Sequence, residues 1–94
     1  MNELENIRKE IDSIDREMAA LFARRMQCAC RAAAYKKAQG LPVLDADRER
    51  AMTERNSARI EEPLRPFYEA FLRRCIELSR DYQEAINEKK DQTL

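Results

Sequence analysis

The sequence predicts an all-α fold of three helices, the first of them unusually long. Three observations carry that expectation. The 94 residues include one Gly and three Pro, and Gly40, Pro42, Pro63 and Pro66 fall in two clusters that leave long uninterrupted stretches on either side. Ala, Glu, Arg, Leu and Lys, all good helix formers, dominate the composition. Apolar residues recur at steps of three and four rather than two.

The first helix is expected over about residues 2–37. Leu4, Ile7, Ile11, Ile14, Met18, Leu21, Arg25, Cys28, Ala32 and Tyr35 form a heptad seam along it. At 1.5 Å per residue such a helix is about 50 Å long. A small subunit cannot cover that stripe over its whole length, so a second subunit is expected against it. Gly40 is a natural stop and Pro42 blocks continuation. A second helix is expected over about 46–59, capped by Asp45 or Asp47. Pro63 and Pro66 mark the next turn, with Pro66 in the first turn of a third helix over about 64–88. One stripe of that helix reads Leu64, Tyr68, Phe71, Cys75, Leu78, Tyr82; its neighbour reads Leu72, Ile76, Ser79, Gln83, Ile86. The polar tail from Glu88 is expected to fray. The whole chain, 1–94, reads as one domain.

Composition narrows the chemistry. With 18 basic and 18 acidic residues the formal net charge is +0, which argues against a nucleic-acid partner and against an anionic-membrane anchor. The charged opening MNELENIRKE has no apolar core of a signal peptide, and no apolar run approaches the roughly 20 residues of a membrane span. A cytoplasmic location is the expectation. Histidine is absent, which removes Ser-His-Asp and Cys-His catalysis and most zinc sites. Cys28 and Cys30, two apart on a helix, point to separate faces, and with Cys75 they read as small thiols in a reducing compartment.

The informative residues are polar ones at positions where the pattern asks for apolar ones. Arg25 sits in the seam between Leu21 and Cys28. A guanidinium there needs an anion, either a protein carboxylate or a ligand that it grips bidentately. Lys36 is 11 residues on, within roughly 20° of Arg25 around the helix and about 16 Å along it. Alone it reads better as a solvated lysine at a helix end. Ser79 and Gln83 share a face and interrupt an apolar stripe, so they need partners from a neighbouring helix or from a ligand. Arg48 and Glu49 open the second helix, and Arg8 flanks the seam of the first. Each of these three reads by itself as surface charge.

Taken in order, these pieces resemble the all-helical chorismate mutases of the AroQ class. The matching motifs are Ile7-Arg8-Lys9-Glu10-Ile11-Asp12, Ala23-Arg24-Arg25, Lys36, the run Pro42-Val43-Leu44-Asp45-Ala46-Asp47-Arg48-Glu49-Arg50, and Ser79-x-x-x-Gln83. The likeness spans about residues 4–87. Arg24 stands where the family often has an acidic residue, and Ala33 where it often has Gly. The resemblance implies rearrangement of chorismate to prephenate in phenylalanine and tyrosine biosynthesis, by a homodimer of three-helix subunits, with no metal and no organic cofactor. It implies eight substrate-binding positions: Arg8 from the partner subunit, Arg25, Lys36, Asp45, Arg48, Glu49, Ser79 and Gln83. In the roles it suggests, Arg25 and the partner's Arg8 clamp the two carboxylates of the substrate, Ser79 helps at the ring carboxylate, and Arg48 supports that region. Glu49, aided by Asp45, accepts from the ring hydroxyl, and Lys36 and Gln83 donate to the ether oxygen. Spacing agrees with sharing between subunits: Arg8 lies 17 residues before Arg25, about 25 Å along one helix, too far for one small ligand to touch both. The alternatives are an isochorismate pyruvate lyase on the same fold and a non-catalytic helical dimerisation or regulatory module.

Overall fold

The computed structural model describes residues 2–92. Helix α1 spans Glu3–Gln39, α2 spans Ala46–Ser57, a 3-10 turn covers Glu62–Leu64, and α3 spans Arg65–Gln92. The all-helical, three-helix expectation holds, with α2 ending two residues early. α3 does not stop at Glu88, because nothing in the polar run after it breaks a helix; it continues to Gln92. The last two residues of the expected tail lie outside the described ones.

The ends are set locally. Asn2 caps α1, its side chain accepting from the Glu5 N–H at 2.9 Å. Gly40 ends α1 with φ 69° and ψ 26°, a left-handed conformation that costs glycine little. Leu41 N–H then donates back to the Lys36 carbonyl at 2.8 Å, which closes the terminal turn. Of the two candidate caps for α2, Asp45 is the one used: its Oδ1 accepts from the Arg48 N–H at 3.1 Å. The turn into α3 is tied by Arg65 Nε donating to the Ile60 carbonyl at 2.8 Å and by Ser57 Oγ donating to Glu69 Oε1 at 2.6 Å.

α3 is the central helix. α1 and α2 each pack on it, and they do not pack directly on one another. Glu49 meets Arg80 and Ser57 meets Glu69, so α2 and α3 are antiparallel. The buried apolar side chains are Ala29 and Ala33 of α1 and Leu72 and Ile76 of α3. The seam expected to face inward is therefore displaced on the second half of α1. Cys28 and Tyr35 are exposed, and the residues turned to α3 are the small Ala29 and Ala33. An α-helix drifts by about 20° per heptad relative to a strict seven-residue seam, and alanines let two helices approach more closely than cysteine or tyrosine would. On α3, the stripe through Leu72, Ile76 and Gln83 is the buried one, while Phe71 and Tyr82, and Leu64 in the turn before it, are exposed.

This is a thin structure. Its principal extents are 58 × 30 × 14 Å and its radius of gyration is 17.1 Å, against about 13 Å for a compact chain of 100 residues. One layer of helices cannot enclose a core by itself. The first half of α1 runs on past the other helices, and Leu4, Ile7, Ile11, Ile14, Met18, Leu21 and Phe22 are all exposed on it.

Ala33, at 0 % exposure, is the most deeply buried residue of α1. Ala33→Leu is expected to destabilise the fold by about 1–3 kcal/mol, the usual cost of overpacking, read as a lower urea midpoint. An unchanged midpoint would mean that the helices do not need a small residue there.

Candidate functional site

The displaced seam and the short α1–α2 connection create a hollow above α3. The second half of α1 forms one wall, the start of α2 the other, and α3 the floor. The cavity holds about 320 Å³, the size of a small-molecule site. Arg25, Cys28, Ala29, Ala32 and Lys36 line it from α1, and Val43 from the connection. Asp45, Arg48, Glu49 and Met52 line it from the start of α2, and Ile76, Ser79, Arg80 and Gln83 from α3.

Seven of the eight positions expected from the sequence thus meet at one cavity. Arg8 does not: it is exposed on the projecting half of α1, and the cavity is not lined by it.

A chain of hydrogen bonds crosses the floor. Lys36 Nζ donates to the Val43 carbonyl at 2.9 Å and to Gln83 Oε1 at 3.4 Å. Gln83 Nε2 donates in turn to Ser79 Oγ at 3.3 Å. Gln83 is only 5 % exposed, and this chain satisfies both ends of its amide, as burial requires. Capacity remains: the ammonium has a third hydrogen and the amide nitrogen a second one. The polar break in the α3 stripe therefore has protein partners and donors to spare.

The charges are uneven. Four cations, Arg25, Lys36, Arg48 and Arg80, face the cavity with two carboxylates, Asp45 and Glu49. Among the described residues Arg25, Lys36 and Arg48 have no carboxylate within salt-bridge distance. The buried salt bridge that could have explained Arg25 is not formed. Arg25 is half-buried with its charge directed to a polar hollow, where anions are favoured. Asp45 spends one oxygen on its cap.

Arg80 is the lining residue that the sequence reading missed. Its Nε lies 3.1 Å from Glu49 Oε2, yet the N–H is not aligned on that oxygen, and the buried atom has no hydrogen-bond acceptor. The pair is held by charge more than by a directed bond. Arg80 follows Leu72 and Ile76 at steps of four, the same polar break in an apolar stripe that marked Arg25.

The cavity gathers arginine, lysine, carboxylate and amide side chains from three helices, groups able to pair with a small anion and to hydrogen-bond it. Residues 7–84 match the chorismate mutase type II family, and the chain belongs to that family. It is also similar to a T-protein of Haemophilus influenzae, with 42% identity over 52 residues. That match takes in 55% of this chain, which spans only 14% of the relative's length. No solved structure matches the chain.

Because Arg25 has no carboxylate partner to lose among the described residues, Arg25→Leu is expected to leave stability unchanged or slightly raised, while anion affinity in the cavity falls. Thermal unfolding of the free protein checks this. A loss of stability of about 3–5 kcal/mol, typical of a broken buried ion pair, would assign Arg25 a structural partner instead.

Proposed function

We propose that this chain catalyses the rearrangement of chorismate to prephenate, and that the cavity above α3 is where it does so. The observation that carries this reading is the gathering of Arg25, Lys36, Arg48, Glu49, Ser79 and Gln83 at one hollow, the three cations without a carboxylate partner among the described residues. Membership of the chorismate mutase type II family supports it. In this reading the enzyme acts in the cytoplasm; no helix among the described residues is long and apolar enough to cross a membrane.

The reaction is a pericyclic shift within one molecule and needs no nucleophile, which suits a chain without histidine. Two tasks remain. The substrate must be held in its compact reactive shape, and charge growing on the ether oxygen must be stabilised. Arg25 clamps one carboxylate, helped by Ser79 and supported by Arg48. Glu49 accepts from the ring hydroxyl. The third hydrogen of Lys36 and the second amide hydrogen of Gln83 converge on the ether oxygen. Their partners in the free protein, Val43, Gln83 and Ser79, already hold them in place, so little reorganisation is asked of them.

The second carboxylate needs a further cation, and Arg8 of an antiparallel second copy supplies it. The apolar row from Leu4 to Phe22 supports such a homodimer: each large side chain gains roughly 1.5–3 kcal/mol when burial is complete, and two copies contribute, against an association cost of about 4–15 kcal/mol. The shared site has a direct test. Subunits carrying Arg8→Ala and subunits carrying Arg25→Ala should each be nearly inactive as homodimers, and mixing them should restore one intact site per heterodimer. Mixing that exchanges subunits and restores nothing sinks the sharing of residues.

The activity itself is tested by following chorismate loss with product identification, alongside isochorismate as the competing substrate. Gln83→Glu probes the ether-oxygen contact. The parent amide does not titrate, whereas an introduced carboxyl donates only when protonated. The variant should work at low pH and lose rate as pH rises through the pKa of that carboxyl, a limb the parent lacks. Identical profiles for the two proteins would remove Gln83 from the reacting bond.

A further inference from the structure

A carboxylate in a cavity for a dianion poses an electrostatic problem. Glu49 is useful as an acceptor for a hydroxyl, yet its charge repels the ligand's own carboxylates, and like charges set against each other in a desolvated site weaken binding. The structure contains an answer on α3. Arg80 Nε lies 3.1 Å from Glu49 Oε2, with the two side chains 33% and 23% exposed. The other described pairs, Asp47–Arg50 and Arg74–Glu77, join neighbours on one helix and lie on the surface. Glu49–Arg80 is the pair that links two helices and is largely withdrawn from water.

Its position is specific. Both residues line the cavity, and both also line a second hollow of about 360 Å³ between α2 and α3. With Ile76, the pair stands between the two. The three remaining cavity cations have no carboxylate partner among the described residues. Among the described residues Arg80 alone of the four is compensated, and what it compensates is Glu49, one of the two carboxylates that a dianion would meet.

We infer that Arg80 is a positioning residue for Glu49: it holds that carboxylate in place and cancels its charge, so that Glu49 accepts a hydrogen bond without driving the dianion out. This rests on the proposed function, in which Glu49 takes the ring hydroxyl. Arg80 works through Glu49 and leaves the grip on the ligand to the unpaired cations.

The test is a double-mutant cycle on the full chain. KM and kcat for chorismate, and Kd for prephenate by calorimetry, are measured for the parent, Arg80→Met, Glu49→Gln and the double variant, with Arg80→Lys as the charge-conserving control. Arg80→Met should raise KM and Kd about tenfold or more, the scale of a lost charge compensation, and Arg80→Lys should recover most of that affinity. In the Glu49→Gln background, where no charge needs cancelling, the effect of Arg80→Met should shrink about fivefold or more, since residues that act through one another are not additive. Effects of the two substitutions that simply multiply, or a KM for Arg80→Met within about twofold of the parent, overturn the inference. A melting temperature that falls with KM unmoved makes Arg80 a clamp between helices and also overturns it. Should Arg80→Met fail to fold, the cycle is run with Arg80→Gln; if neither uncharged variant folds, Arg80 is structural and the inference fails. A parent chain that neither consumes chorismate nor binds prephenate overturns the proposed function instead, and that outcome is read before any variant is made.

Discussion

The close approach of α1 to α3 is the constraint on which the cavity depends. Ala29 and Ala33 are buried at the contact, and their lack of bulk lets Lys36, one turn further on, come within 3.4 Å of Gln83. With larger residues there, the helices would stand apart and the chain of hydrogen bonds from Val43 through Lys36 and Gln83 to Ser79 would open. α2 does not pack on α1; it reaches the site by packing on α3, with Glu49 and Arg80 and then Ser57 and Glu69 as its ties. A single helix thus sets the relative position of both walls.

Much of this was readable from the residues. The breakers at Gly40, Pro42, Pro63 and Pro66 mark the connections because their backbone restrictions act locally. Arg25, Ser79 and Gln83 were readable as polar residues in apolar stripes, since a buried polar group asks for a partner wherever it sits. Asp45, Arg48 and Glu49 gave no such signal. Each looks like surface charge at the start of a helix, and only their order and spacing among the other motifs singled them out.

What was not legible arises between elements. The seam predicted Cys28 and Tyr35 inward, but which face of a long helix is covered depends on where its neighbour lies, and α3 settles on the alanines instead. Arg80 carried the same signal as Arg25, a charged side chain at a stripe position, but its partner is on another helix and 31 positions earlier in the chain. Composition and periodicity describe one helix at a time, and an ion pair across two helices is invisible to both. Arg8 is the opposite case: it lies on the first half of α1, away from the cavity of its own chain.

Lys36 spends two of its three hydrogens within the protein, one of them on the Val43 carbonyl seven residues ahead. The side chain and the backbone from Lys36 to Val43 thereby close a ring. A long flexible cation normally surrenders roughly 1.5–2 kcal/mol of rotamer freedom when it is immobilised. Here that loss is incurred as the chain folds, and a ligand arriving at the cavity finds the ammonium already fixed. The link between α1 and α2 therefore helps to fix the ammonium, and residues added between Gly40 and Val43 would loosen it without breaking into any of the three helices.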